Sequence, residues 1–116
     1  MGLAELDPPY LPLARNFTKA HFHDESYWRL LGDANRINLV ASSVEDGRPQ
    51  PQFWTLEYGK GRVFVSVPGH YSWTFDDPLF RLLAFRGMCW AASEPEDRLN
   101  ALATIGARLA EESGYP

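Results

Sequence analysis

The sequence has almost no cysteine and no long hydrophobic run. Cys89 is the only cysteine in 116 residues, so no disulfide can form within the chain. Its apolar neighbours are typical of a core thiol. The longest apolar runs are far shorter than the roughly 20 residues that cross a bilayer. The sequence therefore predicts no membrane partner.

Basic residues are also in the minority. There are 15 Asp and Glu against 11 Lys and Arg, for a net charge of −4. No Lys/Arg cluster is interleaved with aromatic residues, so the features of a phosphate-backbone binder are missing, and no nucleic acid partner is predicted. The N-terminus lacks the basic and apolar regions of a secretory signal, which favours the cytoplasm over export.

What the sequence does contain is apolar and aromatic residues, at 45% and 14%. This supply and the length predict one globular domain or part of one. Three prolines between residues 6 and 12 predict an extended lead-in over residues 1–16.

The middle of the chain predicts three antiparallel strands. Residues 37–44 and 52–58 flank an Asp46-Gly47 turn, and Gly59-Lys60-Gly61 leads into a strand over 62–67. Upstream, residues 17–27 alternate as in a half-buried strand, while a helix over 24–31 is the alternative.

Two helices are predicted after the sheet. Asp76 or Asp77 can cap the first, with Pro78 in its first turn, and it should end near residue 92. It is apolar almost all round, which predicts a further covering layer. Ser93 and Glu96 form a capping box for an amphipathic helix, so residues 94–116 are predicted to be a separate C-terminal element.

His70 is the first candidate for chemistry. It follows Pro68-Gly69, which should end the third strand, and ligands of open α/β sheets collect at the carboxyl ends of strands. An imidazole there could act as a general acid or base near pH 7. The alternative is a histidine that only hydrogen-bonds the turn.

Polar and aromatic residues elsewhere could complete this site. Asp24 and Glu25 could orient an imidazole or bind sugar hydroxyls, or they could simply be solvated. Aromatic residues near His70 suit sugar rings, although core packing is equally compatible with Trp73. The sequence does not reveal whether a cofactor is needed, and zinc held by His21, His23 and Glu25 is only a side hypothesis. The predicted catalytic residues are His70, Glu25 and Asp24, and the predicted substrate-binding residues are His23, Tyr71 and Trp73.

Several motifs together resemble one known family. They are Phe22-His23-Asp24-Glu25-Ser26-Tyr27, Glu45-Asp46-Gly47, a Pro-x-x-Trp-Thr strand ending at Thr55, Tyr58-Gly-Lys-Gly-Arg-Val, Gly69-His70, and Arg86-Gly-Met-Cys-Trp-Ala-Ala. Their combination resembles ThuA-like, or trehalose-utilisation-like, proteins over residues 17–92. By this resemblance, residues 17–93 are a ThuA-like C-terminal half-domain.

The resemblance implies an α/β fold. It would be the C-terminal half of a flavodoxin-like, class I glutamine amidotransferase-like three-layer domain, without the nucleophilic cysteine of the amidotransferases. A short, mainly antiparallel sheet of about three or four strands would precede two helices. The family's N-terminal βαβ half would then be missing from this chain, which would explain the unusually apolar helix.

The resemblance also implies a function. It points to the use of trehalose or a related disaccharide, with a carbohydrate as the small-molecule ligand and either hydrolysis or isomerisation as the reaction. The alternative is a non-catalytic interaction or sugar-binding half-domain, completed by another chain or by homodimerisation through the apolar helix.

Overall fold

The structure is a computed structural model that describes residues 2–3, 13–15 and 19–109. Its central element is a three-stranded antiparallel sheet whose strands lie side by side in sequence order, and a single α-helix follows it in the described part of the chain. The elements are β1 (Gly2–Leu3), β2 (Ala20–His21), β3 (Asn38–Glu45), β4 (Arg48–Tyr58), β5 (Gly61–Ser66) and α1 (Pro78–Ala91).

The three predicted strands are confirmed to within a few residues. The Asp46-Gly47 turn joins β3 to β4, with Glu45 paired to Arg48 and positive φ angles of 54° at Asp46 and 75° at Gly47. Both central positions of a tight hairpin turn need such angles, which Asp and Gly tolerate. Pairing of Tyr58 with Gly61 closes the second hairpin.

The predicted α1 is also confirmed, and Asp77 is its cap. The Asp77 carboxylate accepts hydrogen bonds from the backbone N–H groups of Leu79 (2.8 Å) and Phe80 (3.1 Å). Only one face of the helix is buried, because Leu82 and Phe85 are half-buried and Met88 is 54% exposed. The sequence of α1 is apolar almost all round, but within the described residues only one side of the helix is packed against other elements.

The core lies between α1 and one face of the sheet. Gly87 allows α1 to approach β5 closely, because a Cβ atom at this position would collide with the ring of Phe64. The buried apolar residues of this cluster are Leu13, Ala14, Ala20, Phe22, Val40, Ala41, Phe53, Phe80 and Leu83.

Residues 17–27 form far less strand than predicted. Only Ala20–His21 pairs, with Gly2–Leu3, and residues 16–18 lie outside the described part. The alternative helix over 24–31 is absent as well, since Arg29 has a φ of 63°, which a right-handed helix does not allow. Side-chain hydrogen bonds to the rest of the fold hold this segment instead of a strand ladder.

The predicted second helix does not form within residues 94–109. Turns and a short 3₁₀ helix, Asn100–Thr104, occupy this stretch. Ser93 explains the difference, because its φ of 59° ends α1 in the left-handed conformation, whereas a helix N-cap needs extended backbone. The serine that was predicted to begin a helix ends the previous one.

The two ends of the chain are only partly described. Most of the predicted lead-in over 1–16 and the last residues, 110–116, lie outside the described residues. Among the helices within the described ranges, none has the length and apolarity to cross a membrane.

Candidate functional site

Asp24 ties the segment before β3 to the loop that follows β5. Its carboxylate accepts hydrogen bonds from the backbone N–H groups of Gly69 (2.9 Å) and His70 (3.1 and 3.2 Å), and from the hydroxyl of the buried Thr74. The N–H of Glu25 donates to it as well, at 2.6 Å. Because both oxygens are engaged by the loop, the contacts of Asp24 are those of a positioning residue.

A second link joins the same two segments through Trp73. Its indole N–H donates to the backbone carbonyl of His23 at 2.6 Å, so His23 contributes its main chain to this link. The Trp73 ring stacks on Tyr71, with centroids 4.4 Å apart and planes 13° apart. The His23 ring lies edge-on to that of His21 at 5.0 Å.

These two links bring Glu25 next to His70. The His70 Nε2 atom lies 3.7 Å from Glu25 Oε1, and the two side chains are 51% and 40% exposed. The Tyr71 hydroxyl donates to the same carboxylate at 3.2 Å, and the Tyr27 hydroxyl donates to its other oxygen. A carboxylate and an imidazole, separated by 45 positions in sequence, thus form an accessible pair at the surface.

The hydrogen bonds of Glu25 also set its charge. The bond from Tyr27 lowers the pKa of Glu25, and Tyr71 and the nearby His70 act in the same direction, against partial burial and Asp24. The same bond raises the pKa of Tyr27. Glu25 is therefore an anion at neutral pH, able to accept hydrogen bonds from hydroxyl groups or to stabilise an imidazolium.

Replacing Tyr27 with phenylalanine should raise the pKa of Glu25 towards its ordinary value of 4.5. The pKa of Glu25 is lower in the folded protein than in the unfolded chain. Ionised Glu25 therefore stabilises the fold at a pH above its unfolded-state pKa, and this stability is lost as the pH falls through its folded-state pKa. A carboxyl ¹³C NMR titration measures the shift directly. An unchanged Glu25 midpoint in Tyr27→Phe would contradict this assignment.

The strands hold the Glu25 segment in place. The Ser26 hydroxyl donates to Glu45 Oε1 at 2.6 Å, at the end of β3. From β4, the buried Gln52 amide donates to the carbonyl of Tyr27 at 3.1 Å. The two residues directly after Glu25 are thus fixed by contacts to the sheet, which favours a preorganised site.

The neighbouring cavity is small. It has a volume of about 10 Å³ and is lined by Phe22, His23, Trp73, Thr74 and Asp77, but not by Glu25 or His70. That volume is on the order of one water molecule. The predicted residues therefore meet at an open surface beside a small cavity.

The described residues offer no metal site. Within residues 2–3, 13–15 and 19–109, no three His, Cys, Asp or Glu side chains are grouped so that they could hold a metal ion. The histidine pair at His21 and His23 therefore gains no third ligand from Glu25 or His70.

Arg86 is a structural residue that sequence reasoning missed. Its side chain is 2% exposed and donates to the carbonyls of Leu13 (3.1 Å) and Arg15 (2.8 Å) and to the Asp97 carboxylate (3.1 Å). Burial, and then the nearby Arg15, lower the pKa of Arg86. An arginine within an otherwise almost entirely apolar helix, which also contains Arg81, was the available signal.

Comparison with protein families is decisive for the class of protein. The sequence model of the trehalose utilisation (ThuA) family matches residues 5–91. The chain belongs to this family. The ThuA match covers the Asp24-Glu25 segment, the three-stranded sheet, His70 and α1. No curated protein and no solved structure matches the chain in the other two comparisons.

Proposed function

We propose that this ThuA family member binds a disaccharide such as trehalose at the Glu25–His70 pair and carries out an acid–base reaction on it. The 3.7 Å approach of the exposed imidazole to a carboxylate held by two tyrosines carries this proposal. His70 exchanges a proton with a sugar hydroxyl or with water, and anionic Glu25 stabilises the imidazolium that forms.

The other residues of the site would bind or position. Tyr71 and Trp73 offer half-buried aromatic surface for a sugar ring, while Asp24 fixes the backbone that carries His70. Family membership supports a role in trehalose utilisation. Within this proposal, the sheet and α1 are the C-terminal part of a glutamine amidotransferase-like domain.

Replacement of His70 by glutamine tests the reaction. Because the ring is half exposed, His70→Gln should leave the melting temperature nearly unchanged and reduce turnover of trehalose by about 100-fold or more. Turnover is followed by ¹³C NMR of the sugar. His21→Gln, which replaces another exposed histidine, is the matched control and should retain activity. Full activity in His70→Gln would contradict the proposal.

A second candidate function is a non-catalytic module that pairs through α1. The outer face of the helix supports it, because Leu82 and Phe85 are only half-buried and Met88 is 54% exposed. A contiguous apolar face of this kind is typical of an interaction site.

Sedimentation of the full chain separates this candidate from a monomeric protein. If α1 is the contact, the chain should form a dimer that Met88→Glu converts to monomer, since a charge would be buried without a partner. Lys60→Glu, at an exposed turn, is the control. A folded monomer at every concentration would exclude homodimerisation through this face.

A further inference from the structure

A wide groove lies on the face of the sheet opposite α1. It has a volume of about 660 Å³. Residues 29–37 form one wall of the groove, and residues of β4 form the other. Small-molecule sites typically enclose about 300–1,000 Å³. None of the residues of the Glu25–His70 site lines this groove.

The groove is positively charged in a protein of net charge −4. Arg29 and Arg36 line it, and within the described residues neither guanidinium group has a hydrogen-bond or ion-pair partner. Asp33 is the one acidic residue in the lining, and it accepts a hydrogen bond from the Asn35 N–H at 2.9 Å, which caps the 3₁₀ helix Ala34–Arg36. Two available guanidinium groups favour an anionic ligand, and phosphate matches their geometry.

The backbone conformation of Arg29 also supports a ligand site in the groove. Its φ of 63° is uncommon for a residue with a side chain. Such conformations persist where the surrounding structure determines them, and they cluster at ligand sites. The segment therefore holds an arginine at the groove in an unfavourable backbone conformation.

The other wall supplies aromatic surface. Trp54 and Tyr58 line the groove from the same face of β4, four positions apart, with Leu56 between them. That spacing corresponds to about 13 Å along a strand, which exceeds the length of one sugar ring. Aromatic rings pack against the apolar faces of sugars, and the Gln50 amide at the edge can bond hydroxyl groups.

We propose that this groove is a second binding site, which takes a phosphorylated disaccharide, with the phosphate on Arg29 and Arg36 and the sugar rings on Trp54 and Tyr58. The anionic Glu25 at the other site disfavours a phosphate there, so the two sites select ligands of different charge. This site goes beyond the proposed function and does not depend on it.

Isothermal titration calorimetry of the full chain tests this site. Trehalose 6-phosphate should bind at least tenfold more tightly than trehalose or inorganic phosphate. The double variant Arg29→Gln/Arg36→Gln should reduce that affinity at least tenfold, to the level of trehalose. The pair Arg98→Gln/Arg108→Gln makes the same charge change at exposed positions outside the groove and should stay within twofold. Because Glu25 does not line the groove, Glu25→Gln should not reduce that affinity, so the test is independent of the proposed reaction.

Three results would overturn the proposal. The first is that the two double variants, Arg29→Gln/Arg36→Gln and Arg98→Gln/Arg108→Gln, bind trehalose 6-phosphate with equal affinity. The second is equally tight binding of adenosine monophosphate, which would indicate a nucleotide site. The third is a dimer whose groove residues are protected from hydrogen exchange, which would show that a second copy of the chain occupies the groove.

Discussion

Replacing Arg86 with alanine is expected to lower the free energy of unfolding by about 3–5 kcal/mol, because a buried charged group that satisfies several partners is lost. Its guanidinium group bonds the carbonyls of Leu13 and Arg15 and the carboxylate of Asp97. Small proteins are stable by only about 5–15 kcal/mol, so this is a large share. Urea unfolding followed by circular dichroism measures the change.

Arg98→Ala is the matched control for Arg86→Ala. Arg98 is exposed and pairs with Glu94 four positions earlier, an arrangement worth about 0.5 kcal/mol or less. A loss below about 1 kcal/mol in Arg86→Ala would mean that the buried guanidinium group does not hold α1 to residues 13–15 and 97.

Replacing Asp24 with asparagine is expected to cost about 2–3 kcal/mol, since a charged acceptor with four donors is replaced by a neutral one. The backbone N–H groups of Gly69 and His70 lose their carboxylate partner. Their hydrogen exchange should accelerate by tenfold or more. Because the same change displaces His70 from Glu25, turnover should fall as well.

Asp33→Asn is the control for Asp24→Asn. Asp33 also accepts a backbone hydrogen bond, but from one donor at an exposed site, so its replacement should cost about 1 kcal/mol or less. Unchanged exchange at Gly69 and His70 in Asp24→Asn would contradict the positioning role.

The sheet and α1 were predictable because local signals determine them. The Asp46-Gly47 turn and the Asp77-Pro78 helix start need only neighbouring residues, and both are present as predicted. The prediction of a second helix was wrong because its local signal is ambiguous. The Ser93 motif is compatible with either a helix start or a helix end, and the choice depends on how α1 ends.

The candidate site was partly predictable. The family resemblance and residue chemistry singled out Asp24, Glu25 and His70, and the structure brings these residues together. The division of roles between the two acids was not predictable, because it depends on loop N–H groups 45 and 46 positions away. Arg86 was missed because its main partners are backbone carbonyls, which leave no pattern in the sequence.

The most direct test of the account is an NMR titration of the isotope-labelled full chain with trehalose. Binding at the Glu25–His70 pair predicts shifts of the side-chain signals of His70, Tyr71 and Trp73, and a much weaker response in Glu25→Gln. Shifts confined to other parts of the protein, or an equal response in Glu25→Gln, would contradict the claim that this pair forms the sugar site.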